Sequence, residues 1–308
     1  MSTLRKALPL LFLLATASCG SAASSADALA RQLQKALDAG DFEAAGKLAD
    51  LDGAPSDVRF SYFDTVYSCA SDMQCNVAIA PLDAAFEARL AEDAKAYGAA
   101  PIAAEGLVVV TETSKDGSGS GKLTMPYVNA NGGYRIAVMR PGATTLAQAK
   151  ARTNDEIVKS FLAMGIYDPQ TNARRTDWAT AAQPLPKDGG EPGQAFAAST
   201  RAMAKAVDAK DPDAAMHAGG RMAEIVYADK GFDGKPIPKA LRQKKLFAQS
   251  QRMLRDVEVR GGYRLGDDAV VVFDARNGSG WIERGAVLLT KAGEVWDVAG
   301  RETVSYPE

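Results

Sequence analysis

The chain has 308 residues, with 36 Lys and Arg against 38 Asp and Glu, one His and three Cys. A formal net charge of −2 gives no electrostatic reason to expect a nucleic-acid partner. One histidine excludes a multi-histidine metal centre, and three cysteines exclude a disulfide-dense scaffold.

Residues 1–19, MSTLRKALPLLFLLATASC, place Arg5 and Lys6 before an apolar run from Ala7 to Ala17, and small residues precede Cys19. That is the layout of an export signal, and the run is too short for a membrane span of about 20 residues. No other segment is apolar for as long, so no transmembrane helix is expected. The stretch Leu14 to Gly20 resembles a bacterial lipobox, with Ala17 and Ser18 at its small-residue positions and Thr16 where Leu is usual. The resemblance implies that Cys19 becomes the lipidated first residue, with residues 20–25 as a tether. It places the chain in the periplasm, anchored by lipid in the outer membrane. The alternative is ordinary cleavage near Ala22 and Ala23, with Cys19 discarded. Export leaves Cys69 and Cys75, with five residues between them in YSCASDMQC. An oxidising compartment favours their pairing as a disulfide, and a metal centre needs more ligands than they and the distant His217 supply.

In the first half, Leu29, Leu33, Ala36 and Leu37 recur at helical spacing. Gly40 ends that helix, and Asp41 caps a second that carries Phe42, Ala45 and Leu48. A third helix is expected over 82–96, then strands near 99–104, 106–114, 121–128 and 133–139. The run Asp116 to Lys122, DGSGSGK, invites a phosphate reading and fails it. Asp116 stands where the motif needs Gly, Leu123 stands where it needs Ser or Thr, and an extended segment follows instead of a helix. A hairpin loop is expected. Residues 145–164 predict one amphipathic helix with Ile157, Phe161 and Met164 inward. Residues 168–192, with Pro169, Pro184, Pro186, Gly189, Gly190 and Pro192, predict a linker.

In the second half, Phe196, Met203 and Val207 mark a first helix, Asp211 and Pro212 open a second, and a third runs over 237–254. Its basic run, Lys239, Arg242, Lys244 and Lys245, is expected to be a solvated face. Strands follow over 256–264, 269–276, 281–290 and 294–304, with Asn277 and Gly278 as a hairpin turn.

The two halves share ordered matches. Residues 35–45, KALDAGDFEAA, and 205–215, KAVDAKDPDAA, agree at seven of eleven positions. Val108 to Val110 with Gly119 to Gly121 parallel Val270 to Val272 with Gly278 to Gly280, and Tyr134 to Ala137 parallel Trp296 to Ala299. A tandem duplication is expected. Helices followed by an antiparallel meander, ending in GDDAVVVFDARNGSGWIERGAVLLTKAGEVWDVAG, resemble the NTF2-like superfamily in its cystatin-like form. The resemblance implies an α+β fold of two tandem NTF2-like repeats, 26–140 and 193–305. Each would pack three helices on a curved antiparallel four-stranded sheet, with a helix and Pro/Gly linker over 141–192 between them.

Fold of this kind does not fix activity. Tyr263, Phe273, Trp281 and Trp296 form an aromatic group that either lines a pocket in the second cone or fills its core. Asp268, Asp274 and Tyr263 are the groups an acid–base site there would use. No catalytic, metal or cofactor site is assigned, and His217 is read as a packed or surface residue. The leading expectation is a non-catalytic envelope module for binding or scaffolding, with an envelope protein or a small apolar ligand as partner. The alternatives are a small-ligand carrier or cofactor-free enzyme using a conical cavity, and an immunity or inhibitor lipoprotein. A cone open to polar groups favours a carrier or enzyme, and a filled cone favours a protein partner.

Overall fold

The computed structural model describes residues 23–130, 132–164, 166–167, 174–175, 177–230 and 235–308. The expected export signal and Cys19 lie outside the described residues. No helix among the described residues is long and apolar enough to cross a membrane.

The chain is a mixed α+β protein whose described residues form two larger antiparallel sheets, of four and five strands, and a two-stranded one. Helix α1 (Ala26–Ala39) starts where Ser25 Oγ accepts the Ala28 N–H and stops at Gly40, whose φ of 56° suits glycine. Asp41 Oδ1 accepts the Ala44 N–H at 2.9 Å and caps α2 (Phe42–Lys47). Then follow α3 (Ser56–Ser71), β1 (Met73–Ala80), α4 (Ala84–Ala96), β2 (Gly106–Ser114), β3 (Ser120–Ala130) and β4 (Gly133–Ile136), with strand order β1-β2-β3-β4. Two expectations are corrected here. The third helix is α3, and the helix over 82–96 is an additional one, α4, set between the first two strands. The first strand is 73–80 instead of 99–104. Both edges of β2 are already taken by β1 and β3, and Pro101 would leave a gap in any ladder at 99–104. The run Leu107 to Val110 is buried at every position. Val108 and Val110 meet Leu29, Leu33 and Leu37 of α1, while Leu107 and Val109 meet Phe86 and Leu90 of α4.

The middle segment comprises α5 (Ala143–Ala151), α6 (Asn154–Met164), β5 (Ile166–Tyr167) paired with β6 (Arg174–Arg175), α7 (Trp178–Ala181) and β7 (Gln183–Leu185). The single helix expected over 145–164 is broken at Arg152, whose ψ is 128°. Thr153 and Glu156 restart it as a reciprocal cap, with Thr153 N–H donating to Glu156 Oε2 at 2.8 Å and Glu156 N–H to Thr153 Oγ1 at 3.3 Å. Ile157, Phe161 and Trp178 are buried against Val270 and Ala286 of the second sheet. The Met164 side chain lies outside the described residues. Helices α5 and α6 and Trp178 of α7 therefore pack on the second half's sheet and β7 extends it, so 178–185 is structured where a linker was expected, and residues 168–173 of that expected linker lie outside the described residues.

The second half continues with α8 (Gly190–Asp208), α9 (Pro212–Ala218), α10 (Gly220–Val226), α11 (Lys239–Ser250), β8 (Arg255–Leu265), β9 (Asp268–Arg276), β10 (Ile282–Ala292) and β11 (Val295–Tyr306). The strand order is β11-β10-β9-β8-β7, five strands where four were expected. Val271 and Phe273 face Phe196 of α8, and Val270 faces α6 on the other side. The β9–β10 connection is longer than a two-residue Asn-Gly turn. Asn277 N–H donates to Trp281 O at 2.9 Å, Asn277 Oδ1 accepts the Ser279 and Trp281 N–H groups, and Gly280 takes a φ of 79°. A Cβ on Gly278 would lie 1.7 Å from Ser250 O, so this turn is seated directly on the end of α11.

The halves meet through α3 and α11. Phe247 contacts the rings of Phe42 and Phe63 at 4.9 and 5.2 Å. Lys245 Nζ lies 3.0 Å from Asp64 Oδ1, Lys244 Nζ donates to Ala39 O at 2.8 Å, and Arg59 donates twice to Gln251 Oε1. Arg242 is buried, with Nε and Nη2 donating to Tyr227 O and Nη1 paired with Asp213 at 2.6 Å. Of the basic run expected to be a solvated face, Lys244 and Lys245 supply the seam between halves, because Ala39 O and the Asp64 carboxylate lie opposite them, while Arg242 and Lys239 pair with Asp213 inside the second half.

Candidate functional site

A cavity of about 420 Å³ opens in the second half, between α8, α10, α11 and the inner face of β10 and β11. Its apolar wall includes Phe196, Met203, Val226, Leu254, Val287 and Val298. Two arginines line the same space, Arg252 just beyond α11 and Arg301 on β11.

Register explains how Arg301 arrives there. Val287 pairs with Arg301 and Leu289 pairs with Val298, so Val298 and Arg301 lie on one face although three residues apart. The extra residue is a bulge at Ala299, which exchanges the two faces of the strand beyond it. Arg252 is held from the other half. Its guanidinium lies 3.7 Å from the centroid of Phe60 of α3, and its Nε donates to Gln249 Oε1 at 3.1 Å. Among the described residues, neither of its Nη groups has a hydrogen-bond acceptor. Burial, with the charge of Arg301 nearby, lowers the pKa of Arg252 from its ordinary value.

Behind Arg301 sits Glu283, 1% exposed, on the inward face of β10 that also carries Val287 and Leu289. Arg301 Nη2 is 3.4 Å from Glu283 Oε1, and Asn277 Nδ2 donates to Oε2 at 3.4 Å. Burial pushes the Glu283 carboxyl above its ordinary pKa, and Arg301 pulls it part of the way back. Burial likewise raises the pKa of the Tyr227 hydroxyl on the cavity wall.

The first half holds side chains in the comparable place. Leu29, Leu33, Leu37, Val66, Val108, Val110 and Ile136 are almost wholly buried between its helices and sheet, and Tyr62 Oη donates to Ala45 O at 2.7 Å. A hollow of about 390 Å³ exists on the opposite face of that sheet, under α4, with Phe86, Arg89, Val109 and Lys122 at its walls.

The aromatic group read from the sequence lies elsewhere. Phe273 is fully buried with its ring 5.2 Å from that of Phe196, Trp281 and Trp296 are buried, and Tyr263 is 36% exposed. None of the four is among the described residues lining the cavity. Asp274 is held by Arg260 at 3.1 Å and Arg284 at 2.9 Å, and Asp268 accepts from Thr290 Oγ1 at 2.8 Å. These carboxylates do not converge on Tyr263 over a shared space. His217 occupies the last turn of α9. The glycine run 116–122 spans the β2–β3 turn and the first residues of β3, and Asp116 Oδ1 accepts the Ser118 N–H at 2.8 Å. Cys69 at the end of α3 and Cys75 in β1 are disulfide-bonded, with Cα atoms 5.5 Å apart. Gln34 secures that junction, donating to Cys75 O and accepting the Val77 N–H.

No protein-family model matches the chain, and no curated protein matches it. Among solved structures it is similar to a cystatin-like protein from Ruminococcus gnavus ATCC 29149, at a TM-score of 0.18 and 13% identity, covering 89% of this chain and 83% of that one. A likeness of that size carries no argument about function.

Proposed function

We propose that the chain is a non-catalytic envelope lipoprotein, tethered through Cys19, built as two NTF2-like copies. The second copy binds a small ligand between its helices and sheet, and the first, filled in that place, serves as its support. One observation carries the reading: the second half keeps an open cavity between helices and sheet where the first half is filled by its own leucines and valines. The duplication is supported by element order, since in both halves a proline-led helix, α3 or α11, passes directly into a strand, β1 or β8, that is followed by three more antiparallel strands in sheet order. Among the described lining residues the ionisable groups are two arginines and one tyrosine, which suits holding a ligand more than moving its protons.

The test uses the neutral dye N-phenyl-1-naphthylamine, whose fluorescence rises on leaving water. Saturable enhancement is expected with the native chain. It should be lost in Thr200→Trp, which adds an indole to the α8 wall at a part-buried position. No enhancement, or equal enhancement in the variant, overturns the cavity reading.

A further inference from the structure

Resting on that reading, we infer that the ligand is an amphiphilic anion: a single apolar chain or ring body ending in one carboxylate-like head, with the head held by Arg252 and Arg301. The walls account for the body. Phe196, Met203, Val226, Leu254, Val287 and Val298 offer it an apolar lining, and the polar lining residues other than the two arginines, Ser199, Thr200, Tyr227 and Gln249, bring no carboxylate to the space. At about 420 Å³ the space falls in the lower part of the range of roughly 300–1,000 Å³ typical of small-molecule sites. That suits one chain or a small ring system and leaves no room for a two-chain lipid body.

The head follows from charge and geometry. Two guanidinium groups face the cavity, and one carboxylate, Glu283, stands within 4.0 Å of either of them among the described residues. Glu283 lies behind Arg301 and is not a lining residue, so one positive charge facing the cavity has no close counter-charge. Asp57 and Asp64 act on Arg252 only from a distance. The free Nη donors of Arg252 and the incompletely paired fork of Arg301 match a planar, two-oxygen acceptor, which an ammonium or hydroxyl head would not satisfy. Arg252 is already fixed by stacking on Phe60 and by its Nε bond to Gln249, so little side-chain freedom is lost when a head group arrives. An anion between the two arginines also relieves their mutual repulsion.

The experiment displaces bound N-phenyl-1-naphthylamine with decanoate, decan-1-ol and decylamine, which share a chain and differ in the head. Decanoate is expected to displace the dye roughly tenfold better than decan-1-ol, the scale of one charge-assisted hydrogen bond, and decylamine is expected to be the weakest. Arg252→Gln and the double variant Arg301→Gln/Glu283→Gln should each remove most of the decanoate advantage while leaving decan-1-ol unchanged. The double variant avoids stranding Glu283, and thermal melting of each variant checks that it is folded. Equal displacement by all three compounds from a dye-binding protein overturns the anion assignment and leaves the cavity reading standing. An advantage for decanoate that survives both variants overturns the placement of the head. Failure of the dye to bind the native chain removes the cavity reading itself, and the assignment with it.

Discussion

Replacing Arg301 with Gln isolates the energetics of the buried pair at the back of the cavity. Glu283 is 1% exposed, and its charge is met by Arg301 at 3.4 Å and by a long hydrogen bond from Asn277. Removing one partner of a fully buried pair costs about 3–5 kcal/mol, because the other charge is left uncompensated. Arg301 is 31% exposed at the side chain, so water screens part of the interaction, and about 2–3 kcal/mol is expected here. With a urea slope of about 3 kcal/mol/M, that lowers the unfolding midpoint by about 0.7–1 M. Adding Glu283→Gln should restore most of the loss, since the stranded charge is gone, and the double-mutant cycle reads their coupling directly. The pH dependence has a definite sign. The folded-state pKa of Glu283 is above its ordinary 4.5, so the folded chain takes up a proton more readily than the unfolded one. That contribution to stability is fully present below the ordinary value and is lost as pH rises through the folded-state value. Without Arg301 the folded-state value rises further, so the penalty of Arg301→Gln should be largest at neutral pH and shrink on acidification. A penalty that is independent of pH, or equally large in the Glu283→Gln background, would refute the reasoning.

Gly278→Ala should destabilise by about 1–3 kcal/mol or more, because the added methyl meets the backbone of Ser250 and the β9–β10 turn must lift from α11; thermal unfolding measures it. Opening the Cys69–Cys75 loop in the double alanine variant should cost about 2 kcal/mol by the chain-entropy relation for so short a loop. Unchanged denaturant midpoints would show that the bond contributes nothing to stability. Mass spectrometry of the mature protein from a bacterial envelope should find a diacylated or triacylated Cys19 at the N-terminus. An unmodified terminus beyond it removes the anchor.

The strands of the second half were readable because three of their connections carry glycine and their apolar runs are bounded: 269–276 and 281–290 fall within two residues of β9 and β10 at each end. The caps at Asp41 and Asp211 were equally plain, each side chain accepting from a first-turn N–H. Helix α3 was hidden by its surroundings. Tyr62, Phe63, Val66 and Tyr67 are buried while Phe60 meets Arg252 of the other half, so its apolar residues form no single stripe. Thr153 with Glu156 was a visible capping signature that would have split the helix over 145–164. The site was partly within reach. Alternation from Val287 and Leu289 back along β10 places Glu283 inward, a buried carboxylate in need of a partner. Its partner was not within reach, since strict alternation from Val298 turns Arg301 outward and only the bulge at Ala299 turns it in. Arg252 depended on the packing of one half on the other, which no local pattern encodes.

The strands buried on both faces shift the burden of specification. Along Leu107 to Val110 and Val270 to Phe273 no polar side is present, so a slip of one residue exchanges one valine for another and exposes nothing. In an ordinary half-buried strand such a slip is punished by bringing polar groups inside. In the second sheet alignment is dictated from the ends, by the Asn277 loop clamped on α11 and by the bulges that interrupt β8 and β11. Sequence change in the valine runs should therefore be forgiven so long as volume is kept, while the short turns act as the rulers of the sheet.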